Sequence, residues 1–121
     1  MEERRKFVRL DTTLPIVYQV LPSTIPKKSV TRDIAGGGIC LFVNEPLKPG
    51  TRLHVDIQLP GREHPVSFQG EVVWSEEYEV IGKTQRERAV EAGVKFLQID
   101  PKDRQAILEH VILSLQPHHP V

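Results

Sequence analysis

The chain has a single cysteine, Cys40, and therefore no internal disulfide. A lone thiol inside the apolar run Ile39-Cys40-Leu41-Phe42-Val43 reads as a small buried hydrophobe, because a reactive thiol needs exposed, electropositive surroundings. There is no net charge: sixteen Lys and Arg residues balance sixteen Asp and Glu residues. A protein that coats DNA or RNA needs an overall basic field, so a nucleic-acid polymer is not the expected partner. No apolar run is long enough to cross a bilayer and no apolar segment leads the chain, so the expectation is a cytoplasmic protein without membrane insertion. The five histidines do not fall at metal-ligand spacing within any firm element, and no metal or cofactor is expected. Glu76, Glu77 and Glu79 crowd a polar stretch without forming a carboxylate dyad, and no Ser or Cys stands in a nucleophile-elbow context. A catalytic residue is therefore not expected. Internal repeats and low-complexity segments are absent as well.

What is present is one domain's worth of chain, 121 residues with 39% apolar and 26% charged residues. Leu14–Val20 is β-branched and aromatic and predicts a strand, ended by Pro22 and Pro26. Ser29–Asp33 begins a second strand, which the glycine run Gly36-Gly37-Gly38 interrupts. Ile39–Val43 predicts a third. Leu53–Leu59 alternates cleanly, with Leu53, Val55, Ile57 and Leu59 toward a core. Val66–Ser75 places Val66, Phe68, Val72 and Trp74 on one face, and residues 76–88 read as a loop or frayed hairpin. Val90–Ile99 is the last strand. Asp100-Pro101-Lys102-Asp103 is a helix start, with Asp100 as the cap and Pro101 at the first helical position. The following Ile107, Leu108, Val111, Ile112 and Leu115 form one stripe, and Pro117 stops the helix. About six short strands and one amphipathic helix predict a mainly β fold, a small antiparallel barrel with a C-terminal helix. Residues 1–10 read as a flexible cationic arm, 11–116 as barrel plus helix, and 117–121 as a loose tail.

Two patches stand out. The first is Arg4, Arg5, Lys6 and Arg9. A guanidinium is planar and permanently charged, and its fork can grip two phosphate oxygens or the O6/N7 edge of guanine. The same run also fits an ordinary solvated terminus. The second is Asp33-Ile34-Ala35-Gly36-Gly37-Gly38. Glycine allows positive φ and close approach of backbone to a ligand. Asp33 can accept the N1–H and amino protons that guanine presents side by side. The alternative is a tight turn with an Asx-type aspartate. The loop is not a phosphate-binding Walker loop, since no Gly-Lys-Ser/Thr follows, and a strand rather than a helix comes after it.

Arg5-x-x-x-Arg9, preceded by Arg4 and followed 24 residues after Arg9 by Asp33-x-Ala35-x-x-Gly38, resembles the PilZ domain, whose pattern is RxxxR then (D/N)xSxxG. Ala92-Gly93-Val94-Lys95-Phe96 leading into a helix resembles the end of the same domain. The resemblance spans roughly residues 3–115. It implies a six-stranded split barrel that binds cyclic di-GMP, a bacterial second messenger with two guanines and two phosphates. By motif position, Arg5 and Arg9 would hold phosphate and guanine edges, Asp33 would accept from a guanine, and Gly36, Gly37 and Gly38 would let backbone approach. Arg4 would add a second cationic plane, as in relatives that take a stacked ligand dimer. Trp74 either belongs to the core by parity or stacks on a guanine, as an aromatic does in some relatives. One departure is Ala35 in place of the family serine, which removes one hydroxyl. The resemblance further implies a non-enzymatic effector whose arm orders over the barrel on binding and whose new surface is read by a partner protein. The alternative is a PilZ-like adaptor that has lost the nucleotide and works through protein contacts alone. Exposed strand edges would allow a homodimer.

Overall fold

A computed structural model of the chain describes residues 9–81 and 86–115, the side chains of Arg9, Arg86 and Leu115 excepted. Seven strands precede one helix: β1 (Arg9–Asp11), β2 (Pro15–Val20), β3 (Lys27–Ala35), β4 (Gly38–Val43), β5 (Arg52–Ile57), β6 (Val66–Ile81), β7 (Arg86–Ile99) and α1 (Pro101–Leu115). All neighbours pair antiparallel, in the order β1-β3-β2-β5-β6-β7-β4. The further pairing of β3 with β4 closes six of the strands into a barrel. Closure pairs these six strands around the barrel, and β1 lies outside it, paired with β3 alone among the described strands.

The alternation in β5 is the one its sequence dictates: Leu53, Val55 and Ile57 are fully buried, while Arg52, His54 and Asp56 face outward. Ile16 and Tyr18 from β2, Ile39, Leu41 and Val43 from β4, Val66, Phe68 and Val72 from β6 and Val90, Ala92 and Val94 from β7 complete the interior. Phe68 meets Phe96 edge to face at 4.6 Å between ring centres. Asp100 caps α1 by accepting from the Lys102 amide at 2.8 Å. Ala106, Ile107 and Val111 seal the helix onto the barrel end. The expected helical stripe is wider than the real one, since Ile112 is 57% exposed. Only the turn of the helix that crosses the barrel mouth is covered.

Three boundaries differ from the sequence expectation. Arg9 and Leu10, read as the end of the arm, are strand: β1 pairs with the second half of β3 at Arg9↔Ala35, Leu10↔Ile34 and Asp11↔Asp33. It occupies the edge that β2 leaves when it turns away toward Pro15↔Val30. Thr31, fully buried, ties that corner together. Its hydroxyl donates to the Thr12 carbonyl at 2.6 Å and accepts from the Leu14 amide at 2.9 Å. The polar stretch 76–88 is likewise strand in its described part, and pairs as a ribbon through Glu77↔Val90 to Ile81↔Arg86. Its ladder needs no core, because diagonal neighbours such as Glu77 and Arg88 form ion pairs in water. The glycine triplet does not break the chain out of the sheet: Gly36 and Gly37 turn, and Gly38 already pairs in β4.

Candidate ligand-binding face

Cross-strand partners project to the same side of a sheet, so the registers can be read as rows. One row on the outer face runs Asp11–Asp33–Cys40–Gly93–Trp74, from β1 across β3, β4 and β7 to β6. The next runs Arg9–Ala35–Gly38–Lys95–Glu71. These two rows hold Arg9, Asp33, Ala35, Gly38 and Trp74 from the sequence motifs, and the Gly36-Gly37 turn lies at their end. Arg4 and Arg5 lie outside the described residues. At about 4.8 Å per strand, Asp33 and Trp74 are about 14 Å apart along the row.

Both ends of the first row are made by β-bulges. The register shifts between Thr31 and Asp33 on β3, so that Arg32 and Asp33 together oppose Cys40. It shifts again between Val72 and Trp74 on β6, so that Val73 and Trp74 together oppose Gly93. A bulge adds a residue to one strand and re-aims the side chains after it. This corrects the parity argument for Trp74. Val72 is 1% exposed in the core, but Trp74 is on the outer face and 38% exposed. The middle of the row is small: Cys40 is buried, and Gly93 lies under the Trp74 indole, where a Cβ would strike Nε1 and Cε2 of the ring. Cys40 is thus buried as expected, on the outer wall beside Glu91 rather than in the interior.

The glycine turn is pinned. The Gly37 carbonyl accepts from the Phe96 amide at 3.1 Å, and the Gly36 carbonyl accepts from Arg104 Nε at 3.3 Å, which ties the turn to both β7 and α1. The expected positive φ is not used there; among the described residues only Gly50 and Gly61 have it. Gly38 is glycine for a closer reason. A Cβ would drive into the Val94 carbonyl and come within 3.0 Å of the Lys95 Cα.

Beside the row lies a polar cluster that the sequence motifs do not include. Glu91 of β7 is only 5% exposed. One of its oxygens, Oε2, accepts from Arg32 Nη1 at 2.7 Å, and the other, Oε1, accepts from the Tyr78 hydroxyl at 2.6 Å. The hydrogen bond to Glu91 raises the Tyr78 phenol above its ordinary range, because losing the proton would leave two anions face to face. The sequence signal for this cluster was faint: a carboxylate in Val90-Glu91-Ala92, on a strand otherwise read by its apolar positions. In the second row Lys95 Nζ faces Glu71 at 3.3 Å. Arg32 and Lys95 are therefore each matched by a carboxylate. A groove of about 480 Å³ lies elsewhere, over β2, β3 and β5 between Ile16, Ser29 and Gln58, and holds none of the motif residues.

Comparison with known proteins agrees with this fold. The PilZ domain family matches residues 3–113. Among solved structures, the PilZ domain with c-di-GMP of YcgR from Escherichia coli superposes with a TM-score of 0.73 at 18% identity, over 93% of this chain and 92% of that one. The Bacillus subtilis inhibitor of motility MotI/DgrA gives 0.69 at 24% identity, over 93% and 51%. MrkH, a c-di-GMP-dependent transcription regulatory factor, gives 0.72 at 16%, over 93% and 51%. The chain thus spans about half the length of the last two. No curated protein matches the sequence. With the ordered motifs, the closed barrel and a family match over nearly the whole chain, this protein belongs to the PilZ domain family.

Proposed function

We propose that this chain is a cyclic di-GMP receptor that binds the nucleotide on the outer face of β3, β4, β7 and β6. The observation that carries the reading is the Asp33 row, where two bulges set a carboxylate that is 4% exposed and a partly exposed indole on either side of a floor of Cys40 and Gly93. A carboxylate, a flat floor and an aromatic edge suit a guanine: Asp33 accepts from N1–H and the amino group, and Trp74 offers a stacking face. Arg9, in register with Ala35 in the adjacent row, sets the cationic motif beside it. Arg5 and Arg4 follow from the motif, and the arm from Glu3 onward closes over the site when the phosphates neutralise it. Ordering that segment costs conformational entropy, which lowers affinity and makes the segment a switch. A partner protein in the cytoplasm then reads arm and nucleotide together. The receptor is not an enzyme: Glu71 and Glu91, the carboxylates nearest the floor on β6 and β7, are engaged by Lys95 and Arg32 rather than poised as bases.

The test is calorimetric titration with cyclic di-GMP. Saturable binding is expected for the native chain and none for Arg9→Ala, with an unchanged circular dichroism spectrum. The absence of heat at high micromolar nucleotide refutes the reading. One observation favours a second reading, an adaptor without nucleotide. Ala35 brings no hydroxyl to the row it shares with Arg9 and Gly38. The same titration decides between them.

A further inference from the structure

Arg32 is the residue that the β3 bulge places beside Asp33, and its setting differs from that of an ordinary surface arginine. Its guanidinium reaches across β4 to β7, two strand spacings or about 10 Å. There Nη1 is held by Glu91, whose own side chain is 6% exposed, while the Arg32 side chain remains 55% exposed. Glu91 is fixed from its other side by Tyr78, so the anchor has no freedom to follow the arginine. One corner of the fork is thus tethered and the rest faces solvent, at the Glu91 position of β7, two residues along from Gly93.

A buried carboxylate on a face meant for an anion is a costly choice. A buried ion pair contributes little to stability compared with apolar residues of the same size. Orienting a guanidinium is a better account of it. The Glu91 hydrogen bond, with smaller contributions from Cys40 and Asp33, raises the affinity of Arg32 for its proton still further, so its charge is permanent.

We propose that Arg32 is a further ligand-contacting residue: oriented by Glu91, its fork binds the O6/N7 edge of the same guanine whose N1–H and amino edge Asp33 accepts. The two edges are adjacent on guanine, and Arg32 and Asp33 are consecutive on the bulge, with the guanidinium carried toward β7 by Glu91. An arginine fork on O6/N7 also selects against adenine, which presents an amino donor at the equivalent position. The inference rests on the cyclic di-GMP reading above, and the experiment separates the two.

Cyclic di-GMP and its 7-deazaguanine analogue are titrated into the native chain, into Arg32→Met, and into Arg32→Met combined with Glu91→Gln. The double variant removes cation and buried charge together and keeps the test valid where the single one folds poorly. Arg32→Met is expected to weaken cyclic di-GMP binding by about tenfold to a hundredfold. The penalty for the 7-deaza analogue is expected to shrink in both Arg32 variants, because the contact it removes is already gone. Glu91→Gln alone is expected to weaken binding severalfold. No binding by the native chain sinks the receptor reading. Native binding with unchanged affinity in the Arg32 variants, or with an undiminished 7-deaza penalty, overturns the role of Arg32 and leaves the receptor reading intact.

Discussion

Replacing Gly38 and Gly93 with alanine, one at a time, separates two physical reasons for a glycine on this face. At Gly38 the new methyl meets the Val94 carbonyl, with the Lys95 Cα at 3.0 Å and the Val94 carbonyl carbon at 3.1 Å. All three are backbone atoms of β7, a strand held on both sides by β4 and β6. They cannot move without stretching two ladders. Overpacking of this kind costs about 1–3 kcal/mol and belongs near the top of that range here. The lower chain entropy of unfolded alanine returns about 0.4–1 kcal/mol. A net loss of about 2 kcal/mol lowers the melting temperature of a domain this size by roughly 5–10 °C. At Gly93 the obstacle is the Trp74 indole, already 38% exposed and free to swing outward. Lifting it exposes about 50 Å² of ring, or about 1 kcal/mol, which the same entropy gain nearly offsets. Gly93→Ala is therefore expected to melt within a few degrees of the native chain, with tryptophan emission shifted to the red. Trp74 is the only tryptophan, so the fluorescence is unambiguous. Thermal melts by circular dichroism and emission spectra of the unliganded protein suffice. A Gly38→Ala protein as stable as the native one, or a Gly93→Ala protein that loses more stability than Gly38→Ala, refutes the reasoning.

Ala35→Ser restores the hydroxyl of the family pattern and is expected to tighten cyclic di-GMP binding by up to about tenfold in calorimetry, the worth of one neutral hydrogen bond; weaker binding counts against placing Ala35 at the ligand. Thr31→Val strands the buried Leu14 amide and the half-buried Thr12 carbonyl, so urea unfolding should show a loss of about 1–3 kcal/mol, while Thr31→Ser keeps both bonds and most of the stability. Both tyrosines are raised in the folded state, Tyr18 chiefly by burial and Tyr78 chiefly by Glu91. Their contribution to stability is complete below the ordinary phenol value of about 10 and is lost as pH climbs through the higher folded-state values. Phenolate absorbance of the folded chain should therefore rise only above about pH 10, and a folded-state midpoint at or below that value contradicts both assignments.

The barrel was legible because its core strands obey one rule. In Leu53–Leu59 and in Val66–Val72 each inward position is apolar, and period two is enough to place them. The helix start was legible because Asp100 and Pro101 have fixed geometric uses. The ribbon at 76–81 was not, since nothing buries it and polar residues carry no period. Strand β1 was hidden for another reason: three residues are too few for a pattern, and their pairing is set by where β2 departs from β3. For the site, Arg9, Asp33, Ala35, Gly38 and Trp74 fall into two adjacent rows, which no local pattern of the sequence shows because the rows are made by pairing across four strands. The orientation of Trp74 was lost at the Val73 bulge, because a single inserted residue inverts every parity beyond it. Glu91 was lost for the related reason that an isolated carboxylate in an apolar strand looks like an outward position, and only the fold shows Arg32 and Tyr78 closing over it.

The charge on this face then assigns the work of binding. Arg32 is matched by Glu91 and Lys95 by Glu71, so these two pairs present little net charge. Asp11 and Asp33 lie in the first row besides these pairs, so among the described side chains a dianionic ligand meets shape and hydrogen bonds on the barrel wall but no attracting field. In sequence, positive charge is concentrated in Arg4, Arg5, Lys6 and Arg9. In the proposed receptor charge and recognition are thereby divided: the wall would discriminate guanine, and the N-terminal cations would supply the attraction to phosphate. Such a division makes the response depend on the arm. A nucleotide that fits the wall but lacks the phosphates gains no purchase on the cations, and a simple phosphate that neutralises the cations finds no base-sized floor. On the proposed function, only a ligand that carries both groups at the right separation would join the two parts, which is the physical requirement for a receptor that responds to one messenger and not to common mononucleotides or phosphate.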